Sequence, residues 1–374
     1  MPRQLSPAAA RDAVICALPE EQFGYFAWPT LIANGDALWL AASGLRAMHI
    51  CPWGRTVLLK STDGGETWSA PAVVNNTALD DRDAGLVALP GARLALTWFT
   101  EDTRKIYASE DPNLVAFFDM MRKERGDDLF VRMEHALANV DDADARQTLG
   151  SWVRVSADGV QWSTPRRAPV NAPHGFTLLK DGRWLYFGQS WTRGDEKTAS
   201  AAGCGTDEGI WAAFSDDEGR TWTVAGAVPT GDRQVGNLCE AHAIEVAEGH
   251  LLGAVRQNAP FTILFTESHD GGAIWSPLRE SGASGAPPHL MRHSSGRLLC
   301  SYSHRAAPFG IRAMVSEDDG ATWPEEYVVS DRGADWDLGY PSTVELPGGD
   351  LLTAYYMHLN GEANASLVCT RWKM

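Results

Sequence analysis

The sequence predicts an all-β fold, a six-bladed β-propeller with a short helical insertion in blade two. Two observations predict it: a short Asp-containing motif occurs five times in order, and a hairpin pattern occurs six times. Similar copies repeated along a chain indicate that each copy is one structural unit. Because a propeller closes its units into one ring, we expect all 374 residues, 1–374, to form a single domain.

The five motif copies follow the pattern Ser-x-Asp-x-Gly-x-Thr-Trp, with some variation and with the second copy one residue short. The Asp side chain can accept backbone N–H groups in a tight turn, and the Gly can adopt backbone angles that other residues avoid. The Trp can pack between neighbouring sheets. We therefore interpret the motifs as hairpin corners that stabilise the fold and not as catalytic sites. The copies cover 61–68, 156–162, 215–222, 268–275 and 316–323.

An apolar strand, a Gly-containing turn and a second apolar strand form a pattern that predicts a β-hairpin. Six such hairpins predict six blades, and only the last has no Asp-containing motif after it. We expect an N-terminal strand near 13–18 to complete the last blade beside 365–372, which removes the open edges of the ring. The hairpins begin near Trp28, Asp83, His174, Glu240, Pro288 and Tyr340.

An insertion at 104–148 separates the second hairpin from its motif. Asp111 followed by Pro112 is typical of a helix start, and a second helix is predicted after Asp127 and Asp128. The insertion is either a packed elaboration or dimer contact, or a lid over the site. The apolar residues that define the two helical faces are Leu114, Phe117, Phe118, Met121, Phe130, Met133 and Leu137.

Composition excludes several classes of function. A formal charge of −16 argues against binding to nucleic acid or to an anionic membrane surface. No apolar run reaches the roughly 20 residues that a membrane span needs, and no signal peptide is evident, so a cytoplasmic location is expected. The six cysteines are scattered without a Cys-x-x-Cys pair, which favours free thiols. We expect no cofactor, and the oligomeric state, possibly a homo-oligomer, stays open.

Polar residues are concentrated at one predicted end of the ring. If the motifs lie at the bottom of each blade, the first and third strands start at the top and the second strand ends there. Arg is frequent at these positions, and its planar guanidinium suits carboxylates. We expect a pocket for a sugar-sized anion. The rim positions include Trp28, Arg46, Arg55, Arg82, Asp83, His174, Trp191, Arg193, Glu240, His242, Arg256, His289, His304, Arg305, Arg312 and Tyr340.

These residues resemble the sialidase (neuraminidase) superfamily of six-bladed propellers, and the repeated motifs look like its Asp-boxes (BNR repeats). The resemblance covers almost the whole chain apart from the insertion. It implies a Tyr nucleophile paired with a Glu, an Asp acid/base and three arginines that bind the substrate carboxylate. A Tyr nucleophile departs from the two-carboxylate pattern of most glycosidases.

By this resemblance, Tyr340 matches the nucleophile, and Glu240 matches the base that takes the phenol proton. Arg256 looks like the second arginine and Arg312 like the third. Trp28, in the segment Phe-Ala-Trp-Pro, lies where the family has Phe-Arg-Ile-Pro, so the first arginine is replaced by Ala27.

The family's acid/base Asp is also missing, because the loop after Arg46 contains no carboxylate. His49 has a suitable pKa range for general acid catalysis, and Asp83 from the adjacent blade is the alternative. Arg46 or Arg55 can replace the missing carboxylate contact.

Other rim residues are weaker candidates for substrate contacts. His174 and His242 belong here, and Trp28 and Trp191 either form the floor of a sugar pocket or fill the core. The rim histidines show no metal-ligand spacing, so no metal site is expected.

Three functions fit these residues. The first is an exo-glycosidase that hydrolyses a terminal acidic sugar, sialic acid or a related nonulosonic acid, from a glycan. The second is a hydrolase or lyase on another acidic glycoside such as a uronic-acid sugar, which the missing first arginine favours. The third is a non-catalytic carbohydrate-binding propeller, which the missing loop acid favours and the Tyr340–Glu240 pair opposes.

Overall fold

A computed structural model describes residues 2–190 and 209–374, and these residues form a six-bladed β-propeller, as predicted. The strands of the N-terminal segment and of blades one and two are β1 (Arg3–Leu5), β2 (Ala10–Cys16), β3 (Tyr25–Asn34), β4 (Ala37–Arg46), β5 (Arg55–Ser61), β6 (Ala72–Asn75), β7 (Asp80–Leu89), β8 (Arg93–Glu101), β9 (Gly150–Ser156) and β10 (Arg166–Ala168).

Blades three to six follow in chain order. Their strands are β11 (Val170–Asn171), β12 (Thr177–Leu178), β13 (Trp184–Ser190), β14 (Ile210–Ser215), β15 (Thr223–Ala227), β16 (Leu238–Ala247), β17 (His250–Gln257), β18 (Thr262–Ser268), β19 (Arg279–Glu280), β20 (His289–Arg292), β21 (Leu298–His304), β22 (Gly310–Ser316), β23 (Glu325–Ser330), β24 (Gly339–Glu345), β25 (Leu351–His358) and β26 (Ala365–Trp372).

The strand order is the same in most blades. The sheets run β3-β4-β5-β6, β7-β8-β9-β10, β16-β17-β18-β19 and β20-β21-β22-β23 in blades one, two, four and five. In blade three, both β11 and β12 pair with β13, and β14 and β15 follow. The first strands of neighbouring blades contact one another around the axis, for example β3 with β7 and with β24. Their N-terminal ends therefore meet at one end of the ring.

The N-terminal segment closes the ring as predicted. Strand β2 pairs antiparallel with β26, with Ala10 opposite Trp372 and Val14 opposite Val368, and it completes blade six in the order β2-β26-β25-β24. The sequence did not indicate the second contact of this segment. Strand β1 pairs parallel with β23 and forms the outer edge of blade five.

The Asp-containing motifs form the corners between the third and fourth strands. In the third copy, Asp217 accepts hydrogen bonds from the Ser215 hydroxyl at 2.9 Å, from the Thr221 backbone N–H at 2.8 Å and from the Thr221 hydroxyl at 2.7 Å. The motif Trp packs on the preceding blade, as Trp323 does on Phe265 with ring centres 4.9 Å apart. These contacts are the ones expected of hairpin corners.

The segment between β8 and β9 is helical. It contains α1 (Arg104–Tyr107), α2 (Pro112–Arg125), α3 (Asp127–Ala138) and α4 (Asp142–Thr148). Asp111 caps α2 by accepting the Asn113 N–H at 2.8 Å, as the sequence indicated. Helix α3 buries Phe130 and Met133 against Met48 of blade one. In the described residues, no helix is long and apolar enough to cross a membrane.

We expect Asp217→Ala to lower the free energy of unfolding by about 1–3 kcal/mol, because it leaves the donors of the corner without their acceptor. Denaturant unfolding of the purified protein measures this change. The neighbouring Asp216 is exposed, so Asp216→Ala is the matched control and should leave the midpoint almost unchanged. Equal effects of the two substitutions would contradict the stabilising role of the motif.

Candidate active site

Four of the first strands carry one residue with a left-handed backbone at the end of the ring where they converge. These residues are Trp28 (φ 55°), Asp83 (φ 47°), Glu240 (φ 45°) and Tyr340 (φ 51°). Each lies at a break in the pairing register between the first and second strands of its blade. Left-handed angles are uncommon for residues other than Gly, and bulges redirect side chains, so such positions concentrate at functional sites.

The phenol of Tyr340 and the carboxylate of Glu240 form the centre of this site. The Tyr340 hydroxyl donates to Glu240 Oε1 at 2.6 Å, and Arg256 Nη1 donates to Glu240 Oε2 at 2.6 Å. Tyr340 is largely buried, whereas the side chains of Glu240 and Arg256 keep 18% and 15% of their surface exposed. Two of the predicted catalytic residues and one predicted substrate arginine are therefore in direct contact.

The pKa values of Tyr340 and Glu240 are shifted in opposite directions. Burial, followed by the charges of Glu240 and Asp83, raises the pKa of Tyr340 well above its ordinary value. Burial alone would raise the pKa of Glu240, but Arg256 and the Tyr340 hydrogen bond outweigh it, and the pKa of Glu240 is lowered. At neutral pH the phenol is protonated and the carboxylate is charged, which is the state a Tyr nucleophile and its base require.

Asp83 faces the same centre from blade two. Burial and then the negative charge of Glu240 raise the pKa of Asp83 to about 7, and the charge of Asp83 in turn acts on Tyr340. A carboxyl group with a pKa near the working pH is suited to general acid and general base catalysis. Of the two predicted acid candidates, Asp83 is the one whose charge interacts with both Tyr340 and Glu240.

Two further guanidinium groups lie beside the centre. Arg305 Cζ is 5.6 Å from the middle of the Tyr340 ring, and Arg305 Nε donates to the carbonyl oxygen of Leu338 at 3.2 Å. Its Nη2 is buried and has no hydrogen-bond partner among the described residues. Arg82 stacks on Trp28, with Cζ 4.2 Å from the ring centre. A negative charge on Tyr340 favours the charged form of Arg82. Together with Arg256, these residues surround the phenol with positive charge.

A family model described as a BNR repeat-like domain matches residues 120–353, which is more than half of the chain. The chain belongs to the BNR repeat-like domain family. No curated protein sequence matches the chain.

Solved structures share the propeller of this BNR-repeat chain. A protein of unknown function from Dyadobacter fermentans superimposes with a TM-score of 0.72 at 22% identity, over 98% of this chain and 100% of that one. The NanB sialidase of Streptococcus pneumoniae gives 0.65 at 13% identity, over 97% and 70%. A leech intramolecular trans-sialidase gives 0.61 at 13% identity, over 96% and 69%. At such identities the likeness establishes a sialidase-like propeller fold.

Arg46, at the end of β4, is enclosed within the BNR-repeat fold. Its side chain has no exposed surface and donates to both carboxylate oxygens of Asp80, at 2.6 and 2.8 Å. It also donates to the carbonyl oxygens of Met48 and His49, at 3.3 and 2.9 Å. These hydrogen bonds hold the loop that carries His49. The Arg46 side chain has no exposed surface that a ligand could contact.

The structure does not bring Arg55 or Arg312 into the contacts that surround Tyr340. Arg55 Nη1 donates to the carbonyl oxygen of Leu45 at 3.2 Å. Arg312 is buried in blade five, where its Nη1 donates to the carbonyl oxygens of Ser330 at 2.7 Å and Ile311 at 3.1 Å. The predicted substrate contacts of both residues stay predictions, and Arg305 is the arginine of blade five that contacts Tyr340.

Trp28 is almost fully buried and contacts both Tyr340 and His49. Its ring centre is 6.2 Å from that of Tyr340 and 5.2 Å from that of His49, in edge-on arrangements. It forms part of the packed wall beneath the site and exposes 1% of its surface. The other predicted aromatic residue, Trp191, and Arg193 of the predicted rim lie outside the described residues.

His49 belongs to a hydrogen-bond network around Asp337. Asp337 Oδ1 lies 2.9 Å from His49 Nδ1, and the Tyr25 and Tyr356 hydroxyls donate to the same carboxylate at 2.8 and 3.0 Å. Burial lowers the pKa of His49 despite the nearby carboxylate. The imidazole is therefore neutral at pH 7, with Nδ1–H facing Asp337, which makes it a poorer acid than Asp83.

A cavity of about 440 Å³ lies beside this network, between α2 and the loops of blades one and six. His49 and Asp337 line it together with Trp336 and with Met120 and Met121 of the helix. The helical insertion thus forms one wall of a cavity that reaches the first-blade loop.

His174 and His242 lie in the interior with His289, below the level of Glu240. The ring centres are 4.8 Å apart for His174 and His289 and 5.1 Å apart for the stacked pair His242 and His289. His242 Nδ1 accepts the Leu290 N–H at 2.9 Å. All three side chains are more than nine-tenths buried, so the geometry places them in the packing of the axis.

Sequence reasoning missed Asp337 and Tyr356 and assigned no role to Arg82 or Arg305. The positions of Arg82 and Arg305 on the predicted rim were the available signal. Asp337 lies three residues before Tyr340, in a stretch that resembles any polar loop, and only the fold shows that it joins residues from blades one and six.

The buried histidines predict an acid-sensitive fold. Burial lowers the pKa of His242 to about 4 in the folded protein. In the unfolded chain the same imidazole binds a proton near pH 6.5. The contribution of His242 to the free energy of unfolding is fully present above about pH 6.5. It decreases as the pH falls, and the loss is about 3 kcal/mol at pH 4. Denaturant unfolding at pH 7 and pH 4 should show a smaller difference for His242→Asn, which keeps an acceptor for Leu290, than for the unaltered protein.

The exposed His135 of α3 supplies the control for this measurement. His135→Asn should retain the full loss of stability between pH 7 and pH 4. If His242→Asn also retained it, the acid sensitivity would have another origin.

Proposed function

We propose that this protein is an exo-glycosidase that hydrolyses a terminal acidic sugar, sialic acid or a related nonulosonic acid, from a glycan. The observation that carries the proposal is the 2.6 Å hydrogen bond from the Tyr340 hydroxyl to Glu240, with Arg256 on the other carboxylate oxygen. A phenol bonded to a charged carboxylate at the convergence of four blades is the arrangement that a Tyr nucleophile needs.

In the first step, Tyr340 Oη attacks the anomeric carbon while Glu240 Oε1 takes the phenol proton. The bond from the anomeric carbon to the leaving oxygen breaks, and Asp83 in its acid form donates a proton to that oxygen. The products are a sugar bonded to Tyr340 and the released glycan. Arg256 limits the basicity of Glu240 and holds its orientation.

In the second step, the Asp83 carboxylate takes a proton from a water molecule, whose oxygen attacks the anomeric carbon. The bond to Tyr340 breaks, and the phenolate recovers its proton from Glu240. Asp83 is again an acid and Glu240 again a carboxylate, so the residues return to their starting states. A pKa of about 7 for Asp83 suits both roles.

The carboxylate of the sugar pairs with Arg305 and Arg256 in this proposal. Arg305 supports it, since its Cζ lies 5.6 Å from the middle of the Tyr340 ring and its positive charge acts on Glu240. Arg82, which already contacts Asp80, adds positive charge without being free for a bidentate contact.

A second candidate, a hydrolase or lyase on another acidic glycoside such as a uronic-acid sugar, has one specific observation in its favour. Ala27 occupies the position of the first arginine and is fully buried, so this part of blade one offers no guanidinium. A different position of the substrate carboxylate would fit this change. The substrate panel below separates the two candidates.

Tyr340→Phe should lower kcat on aryl glycosides of keto-acid sugars by more than about a thousandfold, because it removes the attacking oxygen and keeps the ring. A panel of aryl glycosides carrying sialic acid, related keto-acid sugars, uronic acids and neutral sugars measures both activity and preference. Tyr355→Phe is the matched control, since this buried tyrosine bonds Thr370 within blade six. Activity on uronides alone would select the second candidate, and binding without turnover would contradict an enzymatic role.

Asp83→Asn should lower kcat by about 10²- to 10⁴-fold for a poor leaving group, with a smaller loss for a nitrophenyl glycoside that needs no proton. In the unaltered protein, kcat should decrease above about pH 7 as Asp83 loses its proton, and the variant should lack this decrease. Asp36→Asn, in an exposed turn, is the control. If kcat of Asp83→Asn still decreased above about pH 7, the general acid would be another group, and His49 would be the first to test.

A further inference from the structure

Two histidines and one glutamate meet at the end of blade four that lies away from Tyr340. His250 begins β17, and Glu267 is the next-to-last residue of β18. His269 follows in the fourth Asp-containing motif. The pairing of Leu251 with Ser268 brings His250 opposite His269, and their ring centres are 4.1 Å apart. All three side chains therefore share one face of the sheet.

The nitrogen and oxygen atoms of this cluster have the spacing of metal ligands. Glu267 Oε2 lies 3.1 Å from His250 Nε2 and 3.7 Å from His269 Nε2, and the three ligand atoms all lie within 4.8 Å of one another. Ligands about 2.0–2.1 Å from a tetrahedral Zn²⁺ are separated by about 3.3–3.4 Å. The two distances from Glu267 Oε2 to the imidazole nitrogens, 3.1 and 3.7 Å, lie within a few tenths of an ångström of this value.

The surroundings of Glu267 fix its orientation. Its other oxygen, Oε1, accepts from Arg279 Nη2 at 2.9 Å, so Oε2 is the oxygen turned towards the imidazoles. Such outer contacts commonly orient a ligating carboxylate. His269 is 71% exposed, and Glu267 and His250 are about one-fifth exposed, which leaves a path from solvent.

The internal repeats supply a comparison within the same chain. The strand register defines three equivalent positions in every blade that has a motif, and only blade four has a pair of imidazoles there. In blade five the cross-strand pair is an ion pair, Arg297 with Glu317 at 2.9 Å. The equivalent residues are Ala37, Lys60 and Thr62 in blade one, Arg93, Val155 and Ala157 in blade two, Arg183, Phe214 and Asp216 in blade three, and Arg297, Val315 and Glu317 in blade five.

We propose that His250, Glu267 and His269 bind one divalent transition-metal ion of the zinc type, with water in the fourth position. Two imidazoles and one carboxylate select such an ion over Mg²⁺ and Ca²⁺, which prefer all-oxygen sites. The ion would join the start of β17 to the motif corner after β18. Strand β16 spans the blade between this cluster and Glu240, so the role is to stabilise blade four and not to act on the glycoside.

Calorimetric titration of the full chain tests the proposal, after chelator treatment and in a buffer without phosphate. Zn²⁺ should bind with one equivalent, and Zn²⁺ should raise Tm. His269→Ala removes an exposed ligand with little risk to folding and should weaken this binding at least tenfold, as should Glu267→Gln. His135→Ala, which removes an exposed histidine of α3, should leave binding unchanged.

Co²⁺ provides an independent readout, because a tetrahedral His-His-Glu-water site gives intense visible absorption bands that disappear in His269→Ala. Zn²⁺ binding that is unaltered in both His269→Ala and Glu267→Gln would overturn the assignment. Equal affinity for Ca²⁺ and Zn²⁺ would overturn it as well. Glycosidase activity does not enter either readout, so the outcome is independent of the proposed function.

Discussion

The first strands of all six blades converge on one axis. The candidate site depends on four of these strands, each of which carries one residue with a left-handed backbone. Trp28, Asp83, Glu240 and Tyr340 each occupy a backbone region that costs of order 1–3 kcal/mol for a residue other than Gly. The packed ring on both sides of each strand holds them there. The same bulge in four blades turns four different side chains towards one point, so the fold provides the position and the sequence provides the chemistry.

The repeated features could be predicted from the sequence because each is local. An Asp-containing corner such as 215–222 carries its own acceptors, donors and Gly, and an alternating apolar hairpin needs no distant information. The arginines were harder to assign. Arg312 lies within β22 and turns its guanidinium to backbone carbonyls of its own blade, whereas Arg305 follows β21 and reaches Tyr340. Which of the two faces the axis depends on strand register and loop path, and neither is encoded in a short motif.

The guanidinium groups around Tyr340 are positively charged, although the net charge of the whole chain is negative. The formal charge of the protein is −16, yet Arg82, Arg256 and Arg305 all act on the centre. Arg256 is paired with Glu240 and Arg82 with Asp80. Among the described residues, Arg305 Nη2 alone of these groups is a buried nitrogen without a hydrogen-bond partner. Arg82 and Arg256 therefore share their charge with carboxylates of the protein, whereas Arg305 Nε donates to the neutral carbonyl oxygen of Leu338.

The contacts of β1 and β2 also constrain how the chain folds during synthesis. Arg3 pairs with Glu325 and Ala10 with Trp372, so β1 and β2 are synthesised long before the strands that they pair with. Sequence separations of this size make folding slow. Until β23 and β26 have been made, neither segment can form its pairing. Each of the two segments therefore exposes unpaired backbone N–H and C=O groups while the intervening strands are synthesised.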